Sequence, residues 1–432
     1  MDRSWKKADA GKYRGLSIYS IFPRNFSKAG DLQGILPDLP RIRAMGFDAI
    51  WLLPIHPIGE IRRKGTLGSP YSIADYFAVD PSLGTLEDFR TLVREAHAAG
   101  LLVIMDVVFH HTSWDSVLMK EHPDWFYHGP DGTIGNKVGD WYDIADLDHE
   151  QPALWDYLQG VLEFWCQQGA DGFRCDVAPM IPLEFWRDSR QHLDEQGHRV
   201  LWLSESIEPD FIMDLRSRGF TAHSDGEMYQ AFDLLYDYDV YPDLKSYYSG
   251  GLELNSLMAD YMRQQWILPK DHVKLRFLEN HDQIRAGALI PERRRLLNAT
   301  ALAMFLPGAW LFYNGQETMT CHRPDLFNRD PIRWQIDPEM AELQTRLNEI
   351  RQSEVMKKGS FHLISREGEI IHAVCSLKGT SWHGWFSVGA EEAFLTELPE
   401  NDEILFVPEK IQPDKKIRLP LIYSTQTEED AE

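Results

Sequence analysis

Four short apolar runs in this sequence each end in acid. LLVIMD closes at Asp106, ADGFRCD at Asp176 and RVLWLSE at Glu205, and VKLRFLENHD breaks from its apolar run into Glu279, Asn280, His281 and Asp282. Each run has the length and residue types of a strand. A lone Asp at a strand end is ordinarily a turn former or a helix cap. Four such ends mean more if the strands are parallel and share one sheet, because their C-terminal ends then lie on one rim and the carboxylates gather in space.

Side-chain alternation says what two of these carboxyls can do. Within GFRCD, Gly172, Arg174 and Asp176 share one face, while Phe173 and Cys175 point the other way. The Arg174 guanidinium favours the ionised form of Asp176, which is the form of a nucleophile. Glu205 shares its face with Leu201 and Leu203, an apolar wall predicted to raise its pKa as a general acid at neutral pH requires. Two carboxyls with environments pushed apart are the working parts of glycoside hydrolysis, and retaining enzymes hold them about 5–5.5 Å apart. His110 and His111 are adjacent, and neighbours on a strand face opposite sides, so no metal site is predicted there. Tyr71, in GSPYSIADY, reads equally as packing or as ligand contact.

The elements that must hold these residues alternate along the chain. Strands are predicted at Gly15–Phe22, Phe47–Pro54, within LLVIMDVVF, at Ala170–Asp176, Val200–Glu205, Phe220–His223, Val273–Leu278 and Ala309–Tyr313. Helices are predicted at Leu36–Gly46 and from Thr85 to Gly100, where Thr85 is a plausible N-cap. Eight strand–helix repeats in about 350 residues suit a closed (β/α)8 TIM barrel, and no GxGxxG follows the first strand to support a dinucleotide fold. Two interruptions remain. Residues 112–148 are polar and rich in Trp and Gly, an inserted subdomain after strand 3. From residue 354 the pattern turns to short alternating strands such as FHLIS, IIHAVCS and EILFV, read as a C-terminal β-sandwich domain that ends in the acidic tail STQTEEDAE. The predicted organisation is a catalytic barrel over 1–111 and 149–353, the insertion at 112–148, and the C-terminal domain over 354–432.

Composition narrows the function further. A formal net charge of -23 argues against a nucleic-acid partner, which needs a basic face. The run Leu296–Tyr313 is nearly long enough to span a bilayer, but Asn298, Thr300 and the Pro307–Gly308 break divide it into a helix and a strand, so no membrane segment is predicted. Cys166, Cys175, Cys321 and Cys375 form no CxxC pair and read as buried thiols of a reducing compartment. The first fifteen residues contain no apolar core of a signal peptide, so the expected location is cytoplasmic. Fourteen Trp and sixteen Tyr suit large cores first and sugar-stacking clefts second.

The ordered set DVVFHH (Asp106 to His111), GFRCD (Gly172 to Asp176), LSES (Leu203 to Ser206) and FLENHD (Phe277 to Asp282) resembles the four signature regions of glycoside hydrolase family 13, the alpha-amylase family. IYSIFPRNF, DIADLD and PGAWLFYNGQE resemble its further motifs, and the likeness runs from Tyr13 to Trp334. The resemblance implies Asp176 as nucleophile, Glu205 as acid and base, and Asp282 as stabiliser of an oxocarbenium-like transition state. It implies that Arg174 orients the nucleophile, that His111 and His281 bond the distorted ring, that Tyr71 stacks beneath it, and that Asp106 braces the site. Four positions depart from the family pattern: His110 stands for Asn, Ser204 for Gly, and Pro179-Met180 for a Lys-His pair. The expected activity is retaining hydrolysis of α-1,4-glucosidic bonds in maltodextrins or other oligosaccharides, without a cofactor. An α-glucan transglycosylase or an α-1,6-glucosidase uses the same chemistry, and an inactive barrel serving as a binding or assembly domain is the alternative of another class. Many relatives pin the insertion with calcium through the Asn that His110 replaces, so no tightly bound calcium is expected.

Overall fold

Short strands buried on both faces need helices on the outside and a closed sheet within. A computed structural model describes residues 12–366, 368–389, 394–395, 403–407 and 417–426. Its first three strands are β1 (Ser17–Ile21), β2 (Ala49–Leu52) and β3 (Leu102–Val107). An insertion follows that carries β4 (His111–Ser113) and β5 (Ile144–Asp146), paired antiparallel. The sheet continues with β6 (Gly172–Cys175), β7 (Leu201–Ser204), β8 (Leu234–Tyr236), β9 (Lys274–Arg276) and β10 (Ala309–Tyr313). These eight strands form a closed barrel in the order β1-β10-β9-β8-β7-β6-β3-β2, every pair parallel. All C-terminal ends therefore open on one rim, as the TIM-barrel expectation requires.

The helices form where local signals called for them. Leu86–Ala98 starts at Thr85, whose hydroxyl accepts from Asp88 N while the Asp88 carboxylate accepts from Thr85 N, a reciprocal cap. The apolar run from Leu296 folds as predicted: helix Arg293–Phe305, with Leu296–Phe305 buried throughout, and then β10. At the turn between them Gly308 has φ +133°, and a Cβ there would stand 2.3 Å from the Lys274 carbonyl oxygen. Among the described residues no helix is long and apolar enough to cross a membrane.

Two elements differ from expectation. Phe220–His223 is not a strand; the sixth barrel strand is β8, in FDLLYDY. Aspartates flank β8 closely and hide the strand signal, because both are buried and bound: Asp233 takes Arg190 and the Trp202 N–H, and Asp237 takes Arg276. Phe220 instead packs on a small apolar cluster of Val177, Met180, Ile207, Ile212, Leu215 and Ala222. The helix expected over Leu36–Gly46 is a 3-10 turn, Gln33–Asp38, followed by a short α-helix, Leu39–Ala44. Pro37 and Pro40 each lack the N–H that a continuous helix would use.

The C-terminal strands are β11 (Ser360–Arg366), β12 (Ile370–Leu377), β13 (Thr380–Ser387), β14 (Phe394–Leu395), β15 (Glu403–Phe406), β16 (Ile417–Arg418) and β17 (Leu421–Gln426). They form antiparallel sheets of unequal size: five strands in the order β11-β12-β13-β17-β15, and the pair β14-β16. Ile417 of the pair shares a buried cluster with Leu419, Leu421 and Tyr423. The domain is seated on the barrel helix Arg293–Phe305, where Phe305 meets Phe386 with ring centroids 5.7 Å apart and Asn298 Oδ1 accepts from Ser387 N at 2.8 Å. The start of the chain, through residue 11, and the acidic end of the tail, residues 427–432, lie outside the described residues.

All four cysteines are free thiols, but only Cys166, Cys175 and Cys375 are buried; Cys321 is exposed on the segment after β10. The expectation of four buried thiols is corrected at that position: Cys321 stands in the mostly polar run TMTCHRPD, outside the barrel strands that bury Cys175 and the helix that buries Cys166. A chromogenic disulfide reagent is expected to titrate one thiol rapidly in the native protein and four after denaturation. Fewer than four thiols in protein prepared under reduction-free, oxidant-free conditions would contradict this assignment.

Candidate active site

The barrel ladder continues one residue beyond two strands and fixes what stands on the rim. Asp176 N donates to Val107 O at 2.9 Å, and Glu205 N donates to Cys175 O at 3.0 Å. Both carboxyls thus leave the sheet from hydrogen-bonded backbone. Register places Asp106 beside Arg174, and Arg174 beside Leu203, so the guanidinium rises between β3 and β7.

Arg174 is fully buried and serves three carboxyls. Its Nη1 donates to Asp106 Oδ1 and to Asp176 Oδ1, each at 2.8 Å, and its Nη2 lies 2.8 Å from Glu205 Oε1. The Nη2 contact is close but off the line of a hydrogen bond, so it acts through charge. The rings of Trp51, Tyr71 and Tyr236 surround the guanidinium at 5.3, 5.5 and 5.6 Å from their centroids.

Burial sets the protonation of this cluster. It pushes Asp176 and Asp106 up to about 7 against the pull of Arg174, and pushes Glu205 up to about 8. The Glu205 shift agrees with the sequence reading. The Asp176 shift corrects it: Arg174 does lower this carboxyl, but desolvation is larger and one cation is divided among three acids. Protons leave such a cluster in steps that belong to the group as a whole, and Glu205 is the member that holds one most tightly.

Asp282 is prepared differently. Asn280 Oδ1 accepts from Asp282 N at 2.9 Å and from Gln283 N at 3.1 Å, a side-chain turn that presents the carboxylate. Burial raises Asp282, but His281 and Arg174 more than offset this and leave it below the usual carboxylate value. His281 Nε2 lies 2.9 Å from Asp282 Oδ2 and 2.7 Å from the Tyr71 hydroxyl, and the Tyr71 ring is stacked on His281. Tyr71 also donates to Asp106 Oδ2 at 3.0 Å. Glu279 turns inward to Arg285 and the Ala286 N–H, away from the rim.

A cavity of about 260 Å³ opens over these groups. Tyr71, His111, Asp176, Glu205 and Asp282 line it, so five of the seven predicted site residues share one space. Arg174 and His281 lie behind the lining and hold it. Tyr71 is both packing and lining. Burial depresses His111 to about 3, so its imidazole is neutral. Lys64, Trp141, Asp143, Val177, Leu326 and Phe327 also line the cavity, and sequence reading gave none of them a place there. Val177 is a β-branched residue at φ 37°, a left-handed conformation that aims its N–H at Glu205 Oε2, 2.8 Å away. No pattern in the sequence signals that strain.

One cluster could hold a metal. A nitrogen from each of His110 and His111 and a carboxylate oxygen of Asp146 lie within 4.8 Å of one another, all buried. Strand alternation does not separate the two histidines, because β4 begins at His111; His110 precedes it in a bend, and the two Nδ1 atoms stand 3.1 Å apart. Calcium takes six to eight oxygen ligands. This set offers two nitrogens and one carboxylate. Two other acids of the insertion are committed elsewhere: Asp143 pairs with Lys64 at 2.7 Å, and Asp131 caps its own turn through Thr133. The residues present do not fit calcium.

Residues 7–144 and 136–359 match the family model described as alpha amylase, catalytic domain. An alpha-amylase from Lactobacillus plantarum is structurally similar with a TM-score of 0.91 at 39% identity, over 97% of this chain and 100% of that one. A noncanonic maltogenic alpha-amylase from Thermotoga neapolitana gives 0.83 at 30% identity, over 96% and 99%. An alpha-1,4-glucan:maltose-1-phosphate maltosyltransferase from Myxococcus xanthus is 38% identical over 239 residues, which is 50% of this chain and 36% of that protein. The match therefore spans about a third of that relative's length.

Two measurements test these assignments. Glu205 binds its proton more tightly when folded than when unfolded, so the stability it contributes is complete below its ordinary value of 4.5 and is lost as pH rises through about 8. Glu205→Gln has no proton to lose. Its melting temperature is expected to gain steadily on that of the unsubstituted protein between those two pH values, and a difference independent of pH would refute the assignment. For the metal, calcium added to EDTA-dialysed protein is expected to leave melting temperature and activity unchanged. Recovery with calcium but not with sodium at equal ionic strength would show that the insertion is pinned by that ion after all.

Proposed function

From the match of its catalytic domain, this chain belongs to the alpha-amylase family, and we propose that it is a retaining enzyme that hydrolyses α-1,4-glucosidic bonds in maltodextrins or similar oligosaccharides. The observation that carries this reading is the common anchorage of Asp176 and Glu205 on neighbouring nitrogens of one guanidinium, at the edge of one cavity. That anchorage favours the shorter carboxyl spacing of double displacement, about 5–5.5 Å, over the wider spacing of inversion.

A sugar ring in the cavity lies against Tyr71, with its anomeric carbon facing Asp176. The Asp176 carboxylate attacks that carbon as the bond to the leaving oxygen breaks, and Glu205 passes its proton to that oxygen. The raised pKa of Glu205 keeps the proton available near neutral pH. Asp282, held ionised by His281, accepts from ring hydroxyls and stabilises the positive charge that develops on the ring. His111, neutral, bonds a ring hydroxyl without adding charge. In the second step Glu205, now a carboxylate, takes a proton from water, whose oxygen displaces Asp176. The anomeric configuration is retained.

Transfer to a sugar hydroxyl uses the same intermediate, and one observation favours it as a second reading. Near Glu205 the partly buried rings of Trp141 and Phe211 pack on a buried apolar cluster of Val177, Met180 and Ile207, where many relatives carry Lys-His in place of Pro179-Met180, and Trp141 lines the cavity. Such a surface holds an acceptor sugar by stacking rather than by hydrogen bonds. The maltosyltransferase likeness points the same way.

Incubation with maltoheptaose, followed by mass spectrometry of the products over time, separates these readings. Hydrolysis is expected to yield only shorter sugars of initially α configuration; products longer than the substrate mean transfer. Asp176→Asn and Glu205→Gln are each expected to lower kcat by about 10²–10⁴-fold or more with the fold intact. Near-full activity in either variant would refute the nucleophile and acid roles of these two residues.

A further inference from the structure

The cleft has two unlike ends. Around the barrel, β1 lies between β10 and β2, and the strand diametrically opposite β1 is β7, which carries Glu205. On the mechanism proposed above, the leaving part of the chain exits on the β7 side, because Glu205 protonates its oxygen. The glycone, the part retained on Asp176, then extends toward β1.

That side is walled. The loop after β2, residues 58–70, reaches across β1 to the segment after β10. Leu67 N donates to Phe327 O at 3.0 Å, and the Thr66 N–H and hydroxyl both donate to Asn328 Oδ1, at 2.9 and 2.7 Å. Arg24, buried below, clamps the two together: its Nη1 donates to Gly68 O at 3.0 Å and to Leu326 O at 3.2 Å. Gly65 sits so close to Phe327 that a Cβ would stand 2.7 Å from the Phe327 Cβ. The base of the loop is stapled by the Ile58–Ile73 bridge and by Arg63, which donates to the carbonyls of Gly59 and Ile58. The insertion adds a third side through Lys64, whose Nζ lies 2.7 Å from Asp143 Oδ1 and donates to Asp140 O at 3.2 Å.

We propose that this bridge makes the glycone end of the cleft a dead end, so that the enzyme works from the non-reducing end of α-glucan chains, with Lys64 and Asp143 holding the hydroxyls of the terminal sugar. The proposal rests on the catalytic reading above and specifies its substrate. Lys64, Asp143, Leu326 and Phe327 line the same cavity as Asp176 and Asp282. An ammonium has three N–H donors, and the Asp143 carboxylate and Asp140 carbonyl take two. A carboxylate has more acceptor sites than one lysine fills, so the pair together offers a donor and acceptors to adjacent hydroxyls.

The test uses two p-nitrophenyl maltoheptaosides, one with a free non-reducing end and one whose terminal 4- and 6-hydroxyls are blocked as an ethylidene acetal. The free-ended substrate is expected to release one short sugar, glucose or maltose, as the dominant product from the earliest turnovers. The blocked substrate is expected to react at least about 100-fold more slowly, since the site would face a group without its hydroxyls and too large for the wall. Lys64→Met is expected to raise KM for the free-ended substrate more than it lowers kcat. Similar rates on both substrates, with mixed internal cleavage products, would overturn the dead end while leaving the catalytic reading in place. Failure to cleave either one would instead overturn the catalytic reading.

Discussion

A single buried guanidinium, Arg174, holds the rim together, and much of the site's behaviour follows from its being one charge among three. Two like charges 4 Å apart repel by about 4 kcal/mol at the effective dielectric near a protein surface, which moves a carboxyl by about three pH units. Asp106, Asp176 and Glu205 cannot all be ionised around one cation at that cost. All three are raised, and Glu205 is raised furthest; its contact with Arg174 lacks the hydrogen-bond alignment that the two aspartates enjoy. Removing Arg174 would leave three buried carboxyls without their shared cation, and breaking a single buried pair already costs about 3–5 kcal/mol. The aromatic enclosure by Trp51, Tyr71 and Tyr236 makes the same point from the other side, because it attracts the cation without competing for its N–H groups.

The barrel supplies what the guanidinium needs, which is a fixed place for each carboxyl. Parallel strands in register bring Asp106 beside Arg174, and the ladder bonds at Asp176 and Glu205 stop either residue from drifting out of the rim. The strain at Val177 belongs to the same arrangement. A β-branched residue is held left-handed so that its N–H meets Glu205 Oε2. This gives the acid a second fixed partner in addition to Arg174, so its orientation does not depend on the one contact that is poorly aligned.

The parts legible in the sequence were those governed by local rules. Strand length, helix caps and the Pro-Gly break marked most of the barrel, and carboxylates at strand ends marked Asp106, Asp176 and Glu205. The missed strand, β8, shows the limit of such rules: Asp233 and Asp237 read as loop residues until Arg190 and Arg276, distant in sequence, are seen to neutralise them. The same limit applies to protonation. Alternation correctly put Arg174 on the face of Asp176, yet it could not count how many other acids that arginine serves. His110 was misread because alternation was applied one residue before the strand begins. Lys64 and Phe327 could not be placed at all. They meet in the cavity only because the loops after β2 and β10 are neighbours across β1, a fact of ring closure rather than of sequence.

Ring closure also explains why chemistry and specificity come from different parts of this chain. The groups to which the reaction is assigned stand on β3, at the ends of β6 and β7 and on the segment after β9, where strand register dictates their spacing and little can change without disturbing the ladder. The two ends of the cleft are built from loops. At one end the partly buried rings of Trp141 and Phe211 lie over the buried apolar cluster around Met180. At the other, Lys64, Asp143 and the bridged loops present charge and a wall. An apolar surface accepts sugars by shape and stacking and tolerates varied partners, whereas a charged, closed end demands particular hydroxyls in particular places. On the proposed mechanism, selectivity therefore falls mainly on the sugar that becomes bound to the enzyme, and the leaving side is left comparatively permissive. That division is what an enzyme needs if water and a second sugar are both to reach one intermediate from the open side.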